Sequence, residues 1–492
     1  MKTLTRVLIA ASAACALLAV AQPGALSQPK KGEDPLPRGT PVIDVVSPEQ
    51  ALYRIAVPDL QGTQGLTSQA AGVLRNDFTL VSLFKVLDPS SFVANLQTEG
   101  MSITPASWQT VGAQGVIKGS VNQSGNAISV SMAFFEIARG AAPTLKKTYS
   151  GTPADLRGFM HSFANDVVKL LTGEASSFGT RLTFARREGP GRKDVYTADF
   201  DGANLSRVSL GRGVSMLPAF GPAGIWYSVL TPDGMFITRA GTKDQPLIRG
   251  SGLNMGVSQC GTRMVFSSTR DGNSEIYSAN TDGSDIRRLT NDPGIDVSPH
   301  CGPDGRIAFV SNRHGTPQIW MMDAAGTNQK RVTYKGEYNQ TPAWCGDAKK
   351  PMIAFTGRDS AMDIFTLNLT TGAYTRITQG QGTNKDPAFS PDCRMVAFAS
   401  SRGGVYVASP QGGVPRVRQS SRGLRILPFV SDLRPVVWAR ELSVAVDCVL
   451  GGAGIRCRPC TIRSRSCSLH ATSRAPTPCG KSSRSRTRRS GA

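Results

Sequence analysis

Histidine is scarce in this sequence of 492 residues, which contains four: His161, His300, His314 and His470. The His-Glu-x-x-His motif of zinc peptidases and the Gly-x-Ser-x-Gly motif of serine hydrolases are both absent. No Gly-rich phosphate loop occurs in residues 44–171, and the acidic residues show no pairing suited to glycoside chemistry. These absences argue against an enzyme, and we expect no cofactor and no metal site.

Long apolar runs are also rare. Residues 7–21 form one, which follows Lys2 and Arg6 and ends in Ala19-Val20-Ala21. These features are typical of a secretory signal peptide, and the run is too short for a comfortable membrane span. Cys15 lies inside the run, which does not favour lipidation at that residue. Because no later stretch approaches 18 apolar residues, we expect an exported mature chain that is at most peripheral to membranes.

Acidic residues are outnumbered, and the net charge is +21. The excess is uneven, because residues 416–492 carry 16 Lys/Arg against 3 Asp/Glu, a net of +13. The remainder of the chain is therefore only mildly basic. Charge alone does not predict nucleic-acid binding here.

A short pattern recurs six times between residues 182 and 398. Each copy has an apolar triplet that ends in an aromatic residue, and the aromatics are 43, 39, 43, 46 and 43 residues apart. They are Phe184, Tyr227, Phe266, Phe309, Phe355 and Phe398. A polar turn, a second apolar strand, a Gly turn and a short basic strand usually follow.

A period near 40 residues with four short strands per copy is the signature of a β-propeller. One four-stranded blade has two apolar faces, and stacking blades around an axis buries both. A solenoid is the alternative, but the turns are rich in Gly, Asp and Asn and no helix intervenes. We therefore predict an all-β six-bladed β-propeller.

The preceding residues predict an α/β domain. Residues 53–58, 84–87, 115–121 and 127–137 read as strands, and residues 66–74 and 105–108 as helices. A longer helix is predicted to start after Thr152, with Pro153 at its first position and Gly173 at its end. His161 lies beside the apolar stripe of this helix, so we expect it at a surface or boundary.

The combination of segments resembles the TolB family, periplasmic β-propeller proteins of the Tol-Pal system, over residues 1–415. The segments that carry the resemblance are Tyr-Arg-Ile-Ala-Val-Pro at 53–58, Trp108-x-x-x-Gly112-Ala113, Leu-Thr-Gly-Glu at 171–174, and the blade phrases Ser298-Pro299 and Pro387-Ala388-Phe389-Ser390-Pro391-Asp392. The resemblance implies periplasmic localisation. It also implies binding of the peptidoglycan-associated lipoprotein Pal by the propeller, and contact between the N-terminal segment and the inner-membrane protein TolA.

Loops that enter the innermost strands frame one mouth of a propeller channel. By the repeat alignment, we predict the Pal contacts there as Leu253, Asn254, Asp296, Val297, Asn339, Gln340, Asn384 and Lys385. Asn and Asp are also common turn residues, so solvated turns are the alternative interpretation.

Four cysteines, Cys260, Cys301, Cys345 and Cys393, hold nearly equivalent places in successive repeats. An exported protein can oxidise them, but equivalent positions on neighbouring blades are not obviously within disulfide reach, so thiols and disulfides both remain open. His300 and His314 with Cys301 are an unfavoured metal alternative to a polar loop. The zinc-like spacing of Cys457, Cys460, Cys467 and His470 lacks apolar residues to build a core around a metal.

The predicted order is a signal peptide (1–21), a flexible linker (22–43), an α/β domain (44–173), the propeller (178–435) and a basic tail (436–492). Residues 427–430 are the candidate for a closing strand. The tail is read as frameshifted or readthrough sequence, with a disordered tail as the alternative.

The predicted function is a non-enzymatic periplasmic scaffold that supports outer-membrane integrity and constriction at cell division. The alternatives are an exported propeller-bearing hydrolase or lyase, and a ligand-sensing propeller.

Overall fold

The computed structural model describes residues 42–43, 52–211, 213–242, 245–412, 436–439, 448–451 and 454–457. The chain divides into two compact units, Met1–Arg440 and Glu441–Ala492. The first unit begins with helices and strands of mixed order. The strands are β1 (Val42–Ile43), β2 (Tyr53–Ala56), β3 (Gln61–Gly62), β4 (Phe84–Val86), β5 (Gly115–Ser124), β6 (Ala127–Glu136) and β7 (Leu145–Gly151). The helices are α1 (Leu66–Leu80), α2 (Leu96–Glu99), α3 (Pro105–Thr110) and α4 (Leu156–Thr172).

These elements form a six-stranded mixed sheet covered by helices. The strand order is β4-β2-β5-β6-β7, with β3 beside β5. β2 is parallel to β4 and β5, whereas β5, β6 and β7 are antiparallel. The predicted α/β domain is therefore confirmed as a fold, with β7 as an additional edge strand.

Helix α4 follows the predicted pattern closely. A 3₁₀ turn at Pro153–Asp155 leads into it, and Thr152 donates its backbone N–H to Asp155 at 2.8 Å. Leu156, Met160 and Phe163 are fully buried, although Leu170 of the predicted stripe is 44% exposed. Gly173 ends the helix with a φ of 81°, which a residue with a Cβ rarely adopts. The buried face joins α1 and the following strands in one apolar core.

The remainder of the first unit consists of short strands. They are β8 (Arg181–Gly189), β9 (Arg192–Asp199), β10 (Ser206–Arg207), β11 (Val214–Gly221), β12 (Gly224–Thr231), β13 (Gly234–Arg239), β14 (Pro246–Ile248), β15 (Asn254–Cys260), β16 (Arg263–Ser268), β17 (Glu275–Asn280), β18 (Arg287–Arg288), β19 (Asp296–Cys301), β20 (Ile307–Ser311), β21 (Gln318–Met322), β22 (Lys330–Arg331), β23 (Tyr338–Trp344), β24 (Met352–Arg358), β25 (Met362–Asn368), β26 (Tyr374–Arg376), β27 (Asn384–Phe389), β28 (Val396–Ser400), β29 (Val405–Ala408) and β30 (Val436–Ala439).

These strands form five sheets of a β-propeller. β15–β18 and β19–β22 are four-stranded, β27–β29 form a three-stranded sheet, and β23–β26 carry β1 as a fifth, parallel strand on the outer edge. The remaining sheet has eight strands, in which β30-β8-β9 and β11–β14 are joined by one parallel pair, Val214 with Lys193. β10 pairs with β9.

The inner strands make a closed series. β11 contacts β15, and contacts continue through β19, β23 and β27 to β30, which also contacts β11. The strand that closes the series is therefore Val436–Ala439, which pairs antiparallel with β8. It lies just beyond the predicted propeller boundary at residue 435. The predicted closing strand, residues 427–430, lies outside the described residues. In the described structure the closing strand is β30, which belongs to the predicted tail.

A buried polar unit repeats at the start of the third strand of several sheets. In one copy, Thr378 donates its hydroxyl to Asp363 at 2.7 Å and accepts the backbone N–H of Ile364 at 2.9 Å, while Arg376 pairs with Asp363 at 2.6 Å. Equivalent hydroxyl bonds join Thr290 to Glu275, Thr333 to Gln318 and Ser209 to Asp194. A polar residue near the start of each of these strands thus anchors the segment that follows the short outer strand.

The second unit contains one described hairpin, β31 (Cys448–Gly451) with β32 (Gly454–Cys457). These strands fall within the predicted tail. Three residues of the zinc-like spacing, Cys460, Cys467 and His470, lie outside the described residues. None of the helices in the described part of the chain has the length and apolar character needed to cross a membrane.

Candidate partner-binding channel

The inner strands share a bulge at one repeated position. The register between first and second strands shifts in five sheets, for example between Gln340 and Ala343. The residue at the bulge has a positive φ each time: Leu217 (53°), Gly256 (67°), Ser298 (55°), Thr341 (50°) and Asp386 (56°). Such a backbone is costly for residues other than glycine, about 1–3 kcal/mol each. Backbone strain that recurs at the same position of five inner strands indicates a functional surface there.

Proline follows four of these five residues, at Pro218, Pro299, Pro342 and Pro387. A proline has no N–H to donate, so it suits a bulge where ladder pairing is interrupted. Hydroxyl groups of the preceding sheet satisfy the bulge itself. The backbone N–H groups of Ser298 and Asp386 donate to Ser267 Oγ at 3.1 Å and Thr356 Oγ1 at 3.0 Å.

The bulges surround a cavity of about 670 Å³. Its walls are formed mainly by the second halves of five inner strands, β11, β15, β19, β23 and β27. The lining residues are Leu217–Phe220, Gly256–Gln259, Ser298–Cys301, Thr341–Trp344 and Asp386–Pro391, with Gly261 and Gly346. The lining mixes proline, aromatic rings and hydroxyl groups. We call this cavity the channel.

His300 contributes a neutral polar group to the channel. Its Nδ1 accepts the backbone N–H of Trp344 at 3.2 Å, so its proton resides on Nε2. Burial lowers the pKa of His300 to about 4. The imidazole is therefore uncharged at neutral pH, and it adds a polar group without a charge to the channel.

Four of the eight predicted contact residues are buried and bond to other side chains of the protein. Asn254, Asp296, Asn339 and Asn384 are at most 2% exposed. Asn254 accepts from Arg270 at 2.9 Å, Asp296 pairs with Arg313 at 2.7 Å, Asn339 donates to Gln318 at 2.8 Å and Asn384 donates to Asp363 at 3.3 Å. This corrects the expectation for these four side chains. Asn254 and Asp296 bond to the turn after the second strand of their own sheet, whereas Asn339 and Asn384 bond to the preceding sheet.

The other four predicted residues keep accessible surface. Leu253 is 40% exposed, and Val297, Gln340 and Lys385 are half-buried. All four lie near the starts of the inner strands, whereas the channel is lined by later residues of the same strands. Sequence reasoning missed the channel lining, although the recurring X-Pro dipeptide was a usable signal for it.

Two disulfides connect neighbouring inner strands. Cys260 bonds to Cys301 with a Cα separation of 5.3 Å, and Cys345 bonds to Cys393 at 5.6 Å. Both Cα separations lie within the range that a disulfide allows, so these positions of neighbouring sheets are within reach. Oxidation also removes Cys301 from the metal alternative, and His314 packs against the Trp320 ring at 4.9 Å instead.

Comparisons with known proteins agree with this architecture. A family model described as the TolB amino-terminal domain matches residues 41–142, and one described as the TolB beta propeller domain matches residues 168–361. The crystal structure of TolB from Acinetobacter baumannii superimposes with a TM-score of 0.67 and 24% identity, covering 79% of this chain and 97% of that one. This likeness shows the shared fold.

Curated relatives are more similar in sequence. A "Protein TolB homolog" of Chlorobium luteolum is 33% identical over 52% of this chain, and a "Tol-Pal system protein TolB" of Anaeromyxobacter dehalogenans is 35% identical over 58%. The matches span 60% and 66% of those relatives' lengths. With an amino-terminal domain and a propeller that each match the family's own, the chain belongs to the TolB family.

Proposed function

We propose that this protein is a non-enzymatic periplasmic scaffold of the Tol-Pal system and that its channel binds Pal. The observation that carries the proposal is the channel itself, a cavity of about 670 Å³ built from one repeated position of five inner strands. Membership of the TolB family supports the same role. The scaffold would support outer-membrane integrity and constriction at division.

The channel belongs, in this proposal, to a six-bladed ring. The eight-stranded sheet consists of two antiparallel groups that share a single parallel pair. Counting these groups as separate blades gives six, since the other four sheets contribute one each. β30 would then be the inner strand of the blade that contains β8 and β9.

The chemistry of the lining supports binding rather than catalysis. A general base needs an accessible acceptor and a pKa near the working pH. His300 has its Nδ1 occupied by the Trp344 N–H, and its pKa of about 4 makes it a poor base at neutral pH. Rigid prolines and rings suit a partner loop, because they lose little conformational entropy on contact.

The N-terminal segment is the proposed TolA contact, and it consists of the predicted linker at residues 22–43, which follows the predicted signal peptide. Its last residues, Val42–Ile43, pair with Tyr374 and Thr375 on an outer sheet edge. Removal of residues 22–41 should abolish retention by TolA and leave retention by Pal intact. Equal retention of the truncated and full proteins by TolA would contradict this assignment.

Channel binding is tested by retention on immobilised Pal. Gln259 is exposed and lines the channel, and its side chain bonds only locally, to the Gly261 carbonyl at 3.3 Å. Gln259→Arg should reduce retention at least about tenfold, because a longer, charged side chain then occupies part of the channel. Gln97→Arg, the same change at an exposed residue of α2, is the matched control and should bind normally.

The two ends of the inner strands can be distinguished in the same assay. Leu253→Arg alters the predicted strand-start mouth, and Val93→Arg, at a residue 64% exposed, is its control. Loss of binding in Leu253→Arg would extend the contact to that mouth. Deletion of the gene should sensitise cells to detergent and produce chained or blebbing cells. Normal detergent resistance would contradict the scaffold role.

A further inference from the structure

A buried charged cluster joins the amino-terminal domain to the propeller. His161 of α4 places its Nδ1 2.8 Å from Asp77 Oδ2 of α1, and its Nε2 3.8 Å from Asp201 Oδ2. Asp201 lies in the turn after β9, and Arg157 of α4 forms an ion pair with it. We call these four residues the interdomain histidine cluster. The structure corrects the surface expectation for His161, which is only 5% exposed.

Apolar surroundings seal this cluster from water. The Asp77 and Asp201 side chains are 0% and 4% exposed, and the Phe200 ring lies 5.2 Å from the imidazole. Asp77 Oδ1 and His161 Nε2 have no hydrogen-bond partner. A buried polar atom without a partner costs about 1–3 kcal/mol. The protonation state of the cluster therefore affects how favourably the two domains dock.

The charges favour an extra proton in the docked state. With a neutral imidazole, two carboxylates face one guanidinium, and the cluster has a net charge of −1. Protonation of His161 makes the sum zero, and a low-dielectric site strongly prefers neutrality. The charged groups that face His161 are Asp77 from α1, Asp201 from the propeller and Arg157 from its own helix.

The pKa directions agree with this count. Burial raises the pKa of Asp77 to about 6. For His161, burial lowers the pKa, but the hydrogen bond and charge of Asp77 together with the charge of Asp201 outweigh it, and the net pKa is raised. Both groups hold protons more tightly when the domains are docked. Docking therefore takes up protons, and it weakens as pH rises through the raised pKa of His161.

A metal ion fits this cluster less well than a proton. Ligand-type atoms of Asp77, His161 and Asp201 lie within 4.8 Å of one another. However, the Arg157 guanidinium already pairs with Asp201 and would repel a cation placed beside it. Neutralisation by a proton requires no such displacement.

We propose that the interdomain histidine cluster is a proton-operated latch, which holds the amino-terminal domain on the propeller below neutral pH and loosens it in mildly alkaline conditions. The proposal does not depend on which partner the channel binds. A second polar contact between the domains provides a control, because Lys350 pairs with Glu174 at 2.9 Å without a histidine. The Lys350 hydrogen bond lowers the pKa of Glu174, so this pair stays charged throughout the range.

The test is hydrogen–deuterium exchange of the full protein at pH 6 and pH 8.5, corrected for the intrinsic pH dependence of exchange. Peptides from α4 and residues 174–180 should exchange measurably faster at pH 8.5, because docking is weaker once His161 has lost its proton. His161→Gln should reduce this pH dependence to the part that Asp77 contributes. Glu174→Gln should increase exchange equally at both values.

Equal corrected exchange of the wild type at the two pH values would overturn the latch, as would an unchanged pH dependence in His161→Gln. An NMR titration of the wild-type imidazole covers the case in which that variant does not fold. A His161 pKa above its ordinary 6.5 supports the latch, and a value at or below it overturns the proposal. Zn²⁺ should leave exchange unchanged, and Zn²⁺-dependent protection would indicate a metal site instead.

Discussion

The disulfide between Cys345 and Cys393 should contribute substantially to stability. It spans 48 residues and joins the ends of two neighbouring inner strands. In the chain-entropy treatment, a loop of this length stabilises the folded state by about 4 kcal/mol, because the crosslink restricts the unfolded chain. Cys260–Cys301, which spans 41 residues, should contribute about the same amount.

The perturbation is replacement of both cysteines of one pair by serine. Urea unfolding followed by tryptophan fluorescence should show a midpoint lower by roughly 1–4 M, given slopes of about 1–3 kcal/mol/M. Because dithiothreitol reduces both disulfides, the urea midpoint of the reduced wild type should lie below that of either double serine variant.

The control is the variant that lacks all four of these cysteines, on which dithiothreitol should have no effect through these pairs. Retention on Pal should fall when the Cys260–Cys301 pair is replaced, because Cys301 lines the channel. The reasoning fails if these four cysteines of the folded exported protein react as free thiols. It also fails if both double variants unfold at the wild-type urea concentration.

Three further predictions concern single side chains. Burial lowers the pKa of His300 to about 4, so the imidazole is uncharged in the folded protein. The free energy of unfolding should therefore fall by up to about 3 kcal/mol as the pH is lowered from 6.5 towards 4. His300→Asn should weaken this loss of stability in acid, measured by thermal melts, and an unchanged pH dependence would contradict the prediction. Thr378→Val should cost about 1–3 kcal/mol in urea unfolding, because Asp363 and the Ile364 N–H lose a buried partner, whereas Thr371→Val at an exposed turn should cost far less. Phe163→Ala should cost about 3–5 kcal/mol, since the ring is fully buried between α4 and the core, and a loss as small as that of an exposed alanine substitution would refute the packing account.

Strong periodicity made most of the fold predictable. The apolar-aromatic triplets end in residues that lie on the second strands, such as Phe266 and Phe355, because burial on both faces demands continuous apolar runs there. β7 was not predicted, since its sequence Leu-Lys-Lys-Thr-Tyr-Ser-Gly lies at a sheet edge where exposed lysines are tolerated. Val436–Ala439, which pairs with β8, was not predicted as a strand, because a single four-residue strand carries little pattern of its own.

The candidate site was less predictable, because the same polar residue types occur in exposed turns and in buried hydrogen bonds. Asn and Asp at strand starts suggested exposed turns, but Asn254 and Asp296 are buried partners of Arg270 and Arg313. A polar side chain can serve a surface or satisfy a buried group, and only the three-dimensional neighbours distinguish the two. Cysteine pairing likewise depended on how closely the inner strands converge.

Calorimetric titration of purified Pal into the folded, oxidised protein tests the central claim most directly. We expect saturable binding to the wild type and to Gln97→Arg, and affinity at least about tenfold weaker for Gln259→Arg. Absence of binding by wild-type protein that unfolds cooperatively, or equal affinity in all three proteins, would contradict a Pal-binding channel.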